Sequence, residues 1–239
     1  MKNKYLIIII LLFTTTNGYS QKFGIGFQSG VGSYSMSGLD NLNSYVINIL
    51  PFDGKLVSNF PNYWYYKPSI SLNFNKGCVG IVSTFQSTGS RVSAKDYSGE
   101  YRFDLKVKSH NPGIFGEIAL LTKEKMQFSI SSIVGLTYSY MIIDEYAIVY
   151  NEKLKNERIG YKALNYYFEP GLNFYYKVYF LLIGINGGYF FQFGDQGYYT
   201  GVNKNNTLLN PDTYSYITPD WNGFRAGLSL RYILNLKKI

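Results

Sequence analysis

Between Met126 and Ile142 the even positions read Met, Phe, Ile, Ser, Val, Leu, Tyr, Tyr, Ile and the odd ones Gln, Ser, Ser, Ile, Gly, Thr, Ser, Met. A helix would spread those apolar residues around its circumference, whereas a strand, with successive side chains on opposite faces, gathers them on one. Such a strand needs backbone partners on both edges, and the chain supplies seven more segments of the same kind. Phe23, Ile25, Phe27 and Val31 alternate with glycines and Gln28, and Trp64, Tyr66, Ile70, Leu72 and Phe74 alternate with Tyr65, Lys67, Ser69, Ser71 and Asn73. Val79, Ile81 and Phe85 mark a third segment, and Ile114, Ile118 and Leu120 a fourth. After Met126–Ile142 come Tyr166–Tyr176, Leu181–Phe193 and Phe224–Leu234, which brings the count to eight.

The links between these segments alternate in length. Short links fall at Asn75 to Gly77, Leu121 to Lys125 and around Tyr176 to Val178, while Ser35 to Asn62, Thr88 to Arg102, Asp144 to Ala163 and Gly194 to Asp220 are long and polar. An even number of strands with short turns on one side and long loops on the other is the layout of an eight-stranded antiparallel transmembrane β-barrel, with periplasmic turns and extracellular loops. A soluble barrel would hold its bulky apolar residues inside; here the opposite face is glycine, serine and asparagine, a poor water-facing surface. In the fourth segment Phe103, Leu105 and Val107 are apolar at odd positions but Ile114, Ile118 and Leu120 at even ones, so a bulge or break is expected across Ser109 to Gly113, near Pro112.

Lys2 and Lys4 precede an apolar run from Tyr5 to Phe13, followed by small polar residues up to Ser20. Nine apolar residues are too few to span a bilayer as a helix, so residues 1–20 read as a signal peptide and 21–239 as the barrel domain. Charged residues are 16% and aromatic residues 18% of the chain, less charge than a water-facing surface carries. The net charge of +8 is scattered, without the basic stripe of a nucleic-acid-binding protein. The lone cysteine, Cys78, forms no disulfide framework and reads as a buried small side chain.

Charges on the small polar face would point into a lumen that, in an eight-stranded barrel, is just wide enough for side chains to fill. Arg225 and Arg231 share that face in the last strand, and Glu117 and Glu169 are the acids on it, at heights that match when counted from the nearest turn. An internal ion-pair network of Glu117, Glu169, Arg225 and Arg231 follows, with Lys67 as a fifth member. It reads as a charge-lined plug or as a narrow polar path, and the size of the barrel favours the plug. His110, the only histidine, adjoins Ser109 and Asn111 but lies in no nucleophile motif, and one His with one Cys offers no metal-ligand spacing. No catalytic residue, metal or cofactor is expected.

Among the loops, Leu39 to Phe52 is apolar enough to form a short helix or fold over the mouth, and Asp144 to Ala163 reads as solvent-exposed. Asp195 to Trp221 is rich in Tyr and Asn, so Tyr198, Tyr199, Tyr214 and Tyr216 are candidate contacts for an envelope protein or glycan.

The first strand "KFGIGFQSGVG", preceded by a signal ending at Ser20-Gln21, and the closing "GFRAGLSLRYIL" resemble the PorT-like outer-membrane β-barrel family of Bacteroidetes along the whole mature chain. The resemblance implies the outer membrane of a Gram-negative bacterium and names no activity. The last residues, "NLKKI", depart from the terminal aromatic common in such barrels. The expectation is a monomeric, non-enzymatic barrel in outer-membrane lipid, structural or binding a partner through its loops. A narrow pore or small-ligand-binding barrel is the alternative, ahead of an enzyme acting on envelope lipid.

Overall fold

The computed structural model describes residues 22–50, 53–97, 99–150, 152–201, 206–211 and 213–235. The predicted signal peptide, the end of the first loop at Pro51 and Phe52, and the terminal residues 236–239 lie outside the described residues. In chain order the elements are β1 (Lys22–Gly32), α1 (Ser37–Ile49), β2 (Lys55–Asn59), β3 (Tyr63–Phe74), β4 (Gly77–Lys95), β5 (Gly99–Lys123), β6 (Met126–Val149), β7 (Glu152–Val178), β8 (Leu181–Phe193) and β9 (Gly223–Asn235).

Eight of the strands close a ring: β1 pairs with β3 and β9, and β4 pairs with both β3 and β5. All of the pairings are antiparallel, and β2 adds only to the far end of β4. Following hydrogen-bonded partners once round, Lys22 leads through Asn73, Cys78, Glu117, Ser131, Gly171, Gly188 and Arg225 back to β1 at Gly32, ten residues further on. A stagger of ten residues at ~3.3 Å each against eight spacings of ~4.8 Å tilts the strands by roughly 40° to the barrel axis.

At one end, two-residue turns at Asn75–Lys76, Glu124–Lys125 and Tyr179–Phe180 join neighbouring strands. Glu124 (φ 45°) and Tyr179 (φ 54°) adopt the left-handed backbone that such tight hairpins demand. At the other end the expected loops Thr88 to Arg102 and Asp144 to Ala163 are instead ladder: β4–β5 runs to Lys95↔Glu100 and β6–β7 to Val149↔Glu152. These two hairpins rise beyond the rest of the ring.

The phase change in β5 therefore has a different cause from the bulge expected at Ser109 to Gly113. The β4–β5 register passes without a shift through Ser83↔Pro112. Toward β6, pairing lapses only at Asn111 and Pro112, where the proline has no N–H to give, and resumes in register at Gly113↔Gly135. The bulge lies lower, between Ala119 and Leu121. Above that bulge odd positions face inward throughout; what changes is the medium on each side. Below His110 the inside holds Glu117 and Asn111 while Ile114, Ile118 and Leu120 stand exposed outside; above it Phe103, Leu105 and Val107 are buried inside and Lys106 and Lys108 are exposed outside.

The apolar interior above His110 is filled by α1. Leu39, Leu42, Asn43 and Val46 form its buried face, at the spacing of an amphipathic helix. They join Val92, Leu105, Val107, Met141 and Ile143 from the wall and Tyr198, Ile217 and Trp221 from the segment before β9. Asn43 and Ser90 exchange hydrogen bonds at 2.9 and 3.1 Å, and the Trp221 indole donates to Ser139 Oγ at 2.8 Å. Helix and returning segment thus cap the ring.

Candidate functional site

The charged lumen residues form two layers. In the lower one Arg231 donates to Glu117 at 2.7 Å, and Ser129 and Tyr175 complete the carboxylate's coordination at 2.8 and 3.2 Å. Arg231 also reaches Cys78 Sγ at 3.2 Å, so the thiol is a buried neighbour of the ion pair. In the upper layer Glu169 accepts from Arg225 at 2.7 Å and from Lys67 at 2.5 Å. Arg225 further donates to Gln86, and its guanidinium lies 3.9 Å above the Phe190 ring centroid, a cation–π contact in a desolvated setting.

All five predicted lumen residues are buried, and the geometry sorts them into Arg231 with Glu117 and into Arg225, Glu169 and Lys67. The equal-height argument fails for Glu169. Hydrogen-bonded rows climb as they pass round a tilted barrel, so counting from each strand's own turn understates the height of β7 relative to β5. Six residues of β9 at ~3.3 Å each and a tilt of about 40° separate Arg225 from Arg231 by roughly 15 Å along the axis.

Between the layers lies a cavity of about 50 Å³, bordered by Val82, Phe115, Ile133 and Asn186. Ligand sites for small molecules measure about 300–1,000 Å³, so this space suits a few waters only. Desolvated charges survive there because each carboxylate is met by donors: Glu117 by Arg231 and two hydroxyls, Glu169 by Arg225 and Lys67.

Several members were not singled out from the sequence. Tyr175, Tyr65 and Gln86 occupy the lumen phase of their strands, so the signal was bulky polar side chains on a face otherwise small. Tyr167 belongs to the same class: its ring covers the facing pair Gly113 and Gly135, where a Cβ would come within 2.5 Å of the Tyr167 hydroxyl at Gly113 and within 2.7 Å of its ring at Gly135. Tyr167 also stacks on Phe190 with centroids 4.7 Å apart.

His110 faces outward, stacked on Phe85 at 4.7 Å, with Nε2 2.6 Å from Ser83 Oγ. Its hydroxyl partner is thus Ser83 and not the adjacent Ser109, which faces inward. Among the described residues no carboxylate bonds to its ring. The loop tyrosines divide as well: Tyr214 and Tyr216 are exposed, and Tyr199 is half-buried. Tyr198, expected to be available to a partner, is fully buried because the segment folds inward and packs Tyr198, Ile217 and Trp221 into the cap.

No family model and no curated protein matches the chain, so the PorT-like resemblance has no counterpart there. Among solved structures, Ail, the attachment invasion locus protein of Yersinia pestis, matches at 13% identity over 89% of this chain and 96% of its own, with a TM-score of 0.35. The same protein in complex with the heparin analogue sucrose octasulfate matches at 12% identity over 90% and 97%, with a TM-score of 0.33. At those values the likeness carries no argument; the closed ring rests on this chain's own ladder.

Proposed function

We propose that the chain is an integral outer-membrane β-barrel, plugged across its lumen, that works without catalysis as a structural or partner-binding element of the envelope. The observation that carries this reading is the reversal of sidedness along β5 at His110. From Leu120 up to His110 the outer face is apolar, and that span at ~3.3 Å per residue and about 40° tilt covers ~25 Å, the height of a lipid-facing band. Ile25, Ile70, Ile81, Val134, Leu172, Ile185 and Leu228 carry exposed apolar side chains round the other strands, far more than a soluble monomer leaves open to water. Trp64, Tyr66, Tyr138 and Tyr140 edge the band above, and Tyr176, Tyr179 and Tyr232 below, where interfacial aromatics gather.

In this reading the two-residue turns face the periplasm, and the tall hairpins, α1 and the segment before β9 face the exterior. Tyr199, Tyr214 and Tyr216 then offer a surface to an envelope protein or glycan. The plugged reading is favoured over a narrow pore by the two ion-paired layers and the apolar cap above them. A role without catalysis is supported by the Ser83–His110 pair, which has no orienting acid among the described residues. The PorT-like resemblance fits this reading and rests on the strand sequences alone. Planar-bilayer recording tests the plug: the reading expects no conductance steps, and stable single-channel openings by the folded protein would sink it.

A further inference from the structure

At the top of the apolar band the outer wall carries two cross-strand rows. Phe85, His110, Tyr138 and Leu164 are register partners on β4, β5, β6 and β7, and one step higher Lys108, Tyr140 and Lys162 are partners on β5, β6 and β7. Tyr199 extends the upper row through reciprocal backbone hydrogen bonds with Lys162 at 2.8 and 2.9 Å. Together with Trp64 and Tyr66 these residues border a shallow groove of about 630 Å³.

Charge pairing singles out the two lysines. Higher on the same wall, Arg91 bonds Asp104 at 2.6 Å, Lys106 bonds Asp144 at 2.9 Å and Arg158 lies 3.4 Å from Asp144. Lys108 and Lys162 are exposed, yet neither has an acidic partner among the described residues. They flank Tyr140 two strand spacings apart, ~10 Å, directly above aromatic and aliphatic side chains. Two unneutralised ammonium groups over an apolar slope match an amphiphile with an anionic head and hydrocarbon tails.

We propose that this groove binds a phosphorylated lipid of the surrounding leaflet, with phosphate between Lys108 and Lys162 and an acyl chain along Phe85, Tyr138 and Leu164. His110, fixed by Ser83 and stacked on Phe85, forms the floor where head and chain meet. The inference rests on the lipid-facing reading of the outer wall.

The test uses the full chain folded into phosphatidylcholine nanodiscs containing a minor fraction of diphosphoryl lipid A, with retained lipid read by native mass spectrometry after detergent exchange. Wild-type protein is expected to retain the phosphorylated lipid, and Lys108→Gln/Lys162→Gln to retain at least about tenfold less. Lys106→Gln/Arg158→Gln, which removes paired charges from the same wall, should stay within about twofold. Equal retention by the two double variants overturns the proposal, as does equal retention of the dephosphorylated lipid by wild type. Competition by millimolar inorganic phosphate would make the groove a simple anion site and also overturn it. If wild type fails to enter nanodiscs, the membrane reading itself has failed; entry without selective retention refutes this inference alone.

Discussion

Replacing Glu117 by Gln keeps the shape of the lower lumen layer and removes one charge of its ion pair. Glu117 is 3% exposed and accepts from Arg231, Ser129 and Tyr175. Arg231 would be left buried beside an amide, and breaking a buried pair from one side costs about 3–5 kcal/mol. The pair Lys95–Glu100 on the upper rim, 3.6 Å apart with side chains 73% and 38% exposed, provides an internal reference: Glu100→Gln should cost about 0–1 kcal/mol. Removing both buried charges, in Glu117→Gln/Arg231→Met, abolishes the unpaired cation and should recover most of the loss, to within about 1 kcal/mol of wild type. Urea unfolding of protein folded into phosphatidylcholine vesicles, followed by tryptophan fluorescence, measures all four. A cost below about 1 kcal/mol for Glu117→Gln, or a double variant no better than the single one, would refute the buried-pair account.

Other outcomes follow from the same geometry. Val134→Lys places a charge midway up the outer band and should cost about 2–4 kcal/mol in vesicles, by the same urea assay; a cost near zero would mean that Val134 does not face lipid. Tyr198→Ala should destabilise by about 3–5 kcal/mol as a large buried side chain is lost, while Tyr214→Ala stays within about 0.5 kcal/mol in thermal melts; the reverse order would contradict the folded-in cap. Burial raises the Asp40 carboxyl above the usual carboxylate range, against the opposing hydrogen bond from Asn59. The folded cap therefore holds that proton more tightly than the unfolded chain, so its stability is fullest below about pH 4 and declines as pH rises through the raised value. Hydrogen exchange of α1, corrected for intrinsic rates, should show more protection at pH 4 than at pH 7, with the difference abolished in Asp40→Asn; greater protection at pH 7 would reverse the sign.

The eight-stranded ring was legible because its alternation is a backbone property: Met126 to Ile142 can satisfy period two only as a strand, whatever surrounds it. Lumen membership of Arg225, Arg231, Glu117, Glu169 and Lys67 followed from the same parity. Their sorting into layers did not, because which charges meet across a barrel depends on shear, and a ten-residue stagger is a property of the whole circuit and of no single strand. The tall hairpins were hidden for a different reason. Above His110 the apolar residues Phe103, Leu105 and Val107 turn inward and lysines outward, so one unbroken strand carries two opposite patterns and resembles a bulge followed by a loop. Burial of Tyr198 was equally invisible, since a tyrosine in a polar segment gives no local sign that distant Trp221 and α1 will draw it into a cap.

Fractionation with a heat-dependent gel shift tests the central claim most directly. The account predicts that the protein stays with the outer-membrane fraction after carbonate extraction and migrates faster unheated than boiled, as a closed barrel held by its own ladder should. Recovery in the soluble fraction, with a single mobility before and after heating, would contradict a membrane-spanning ring.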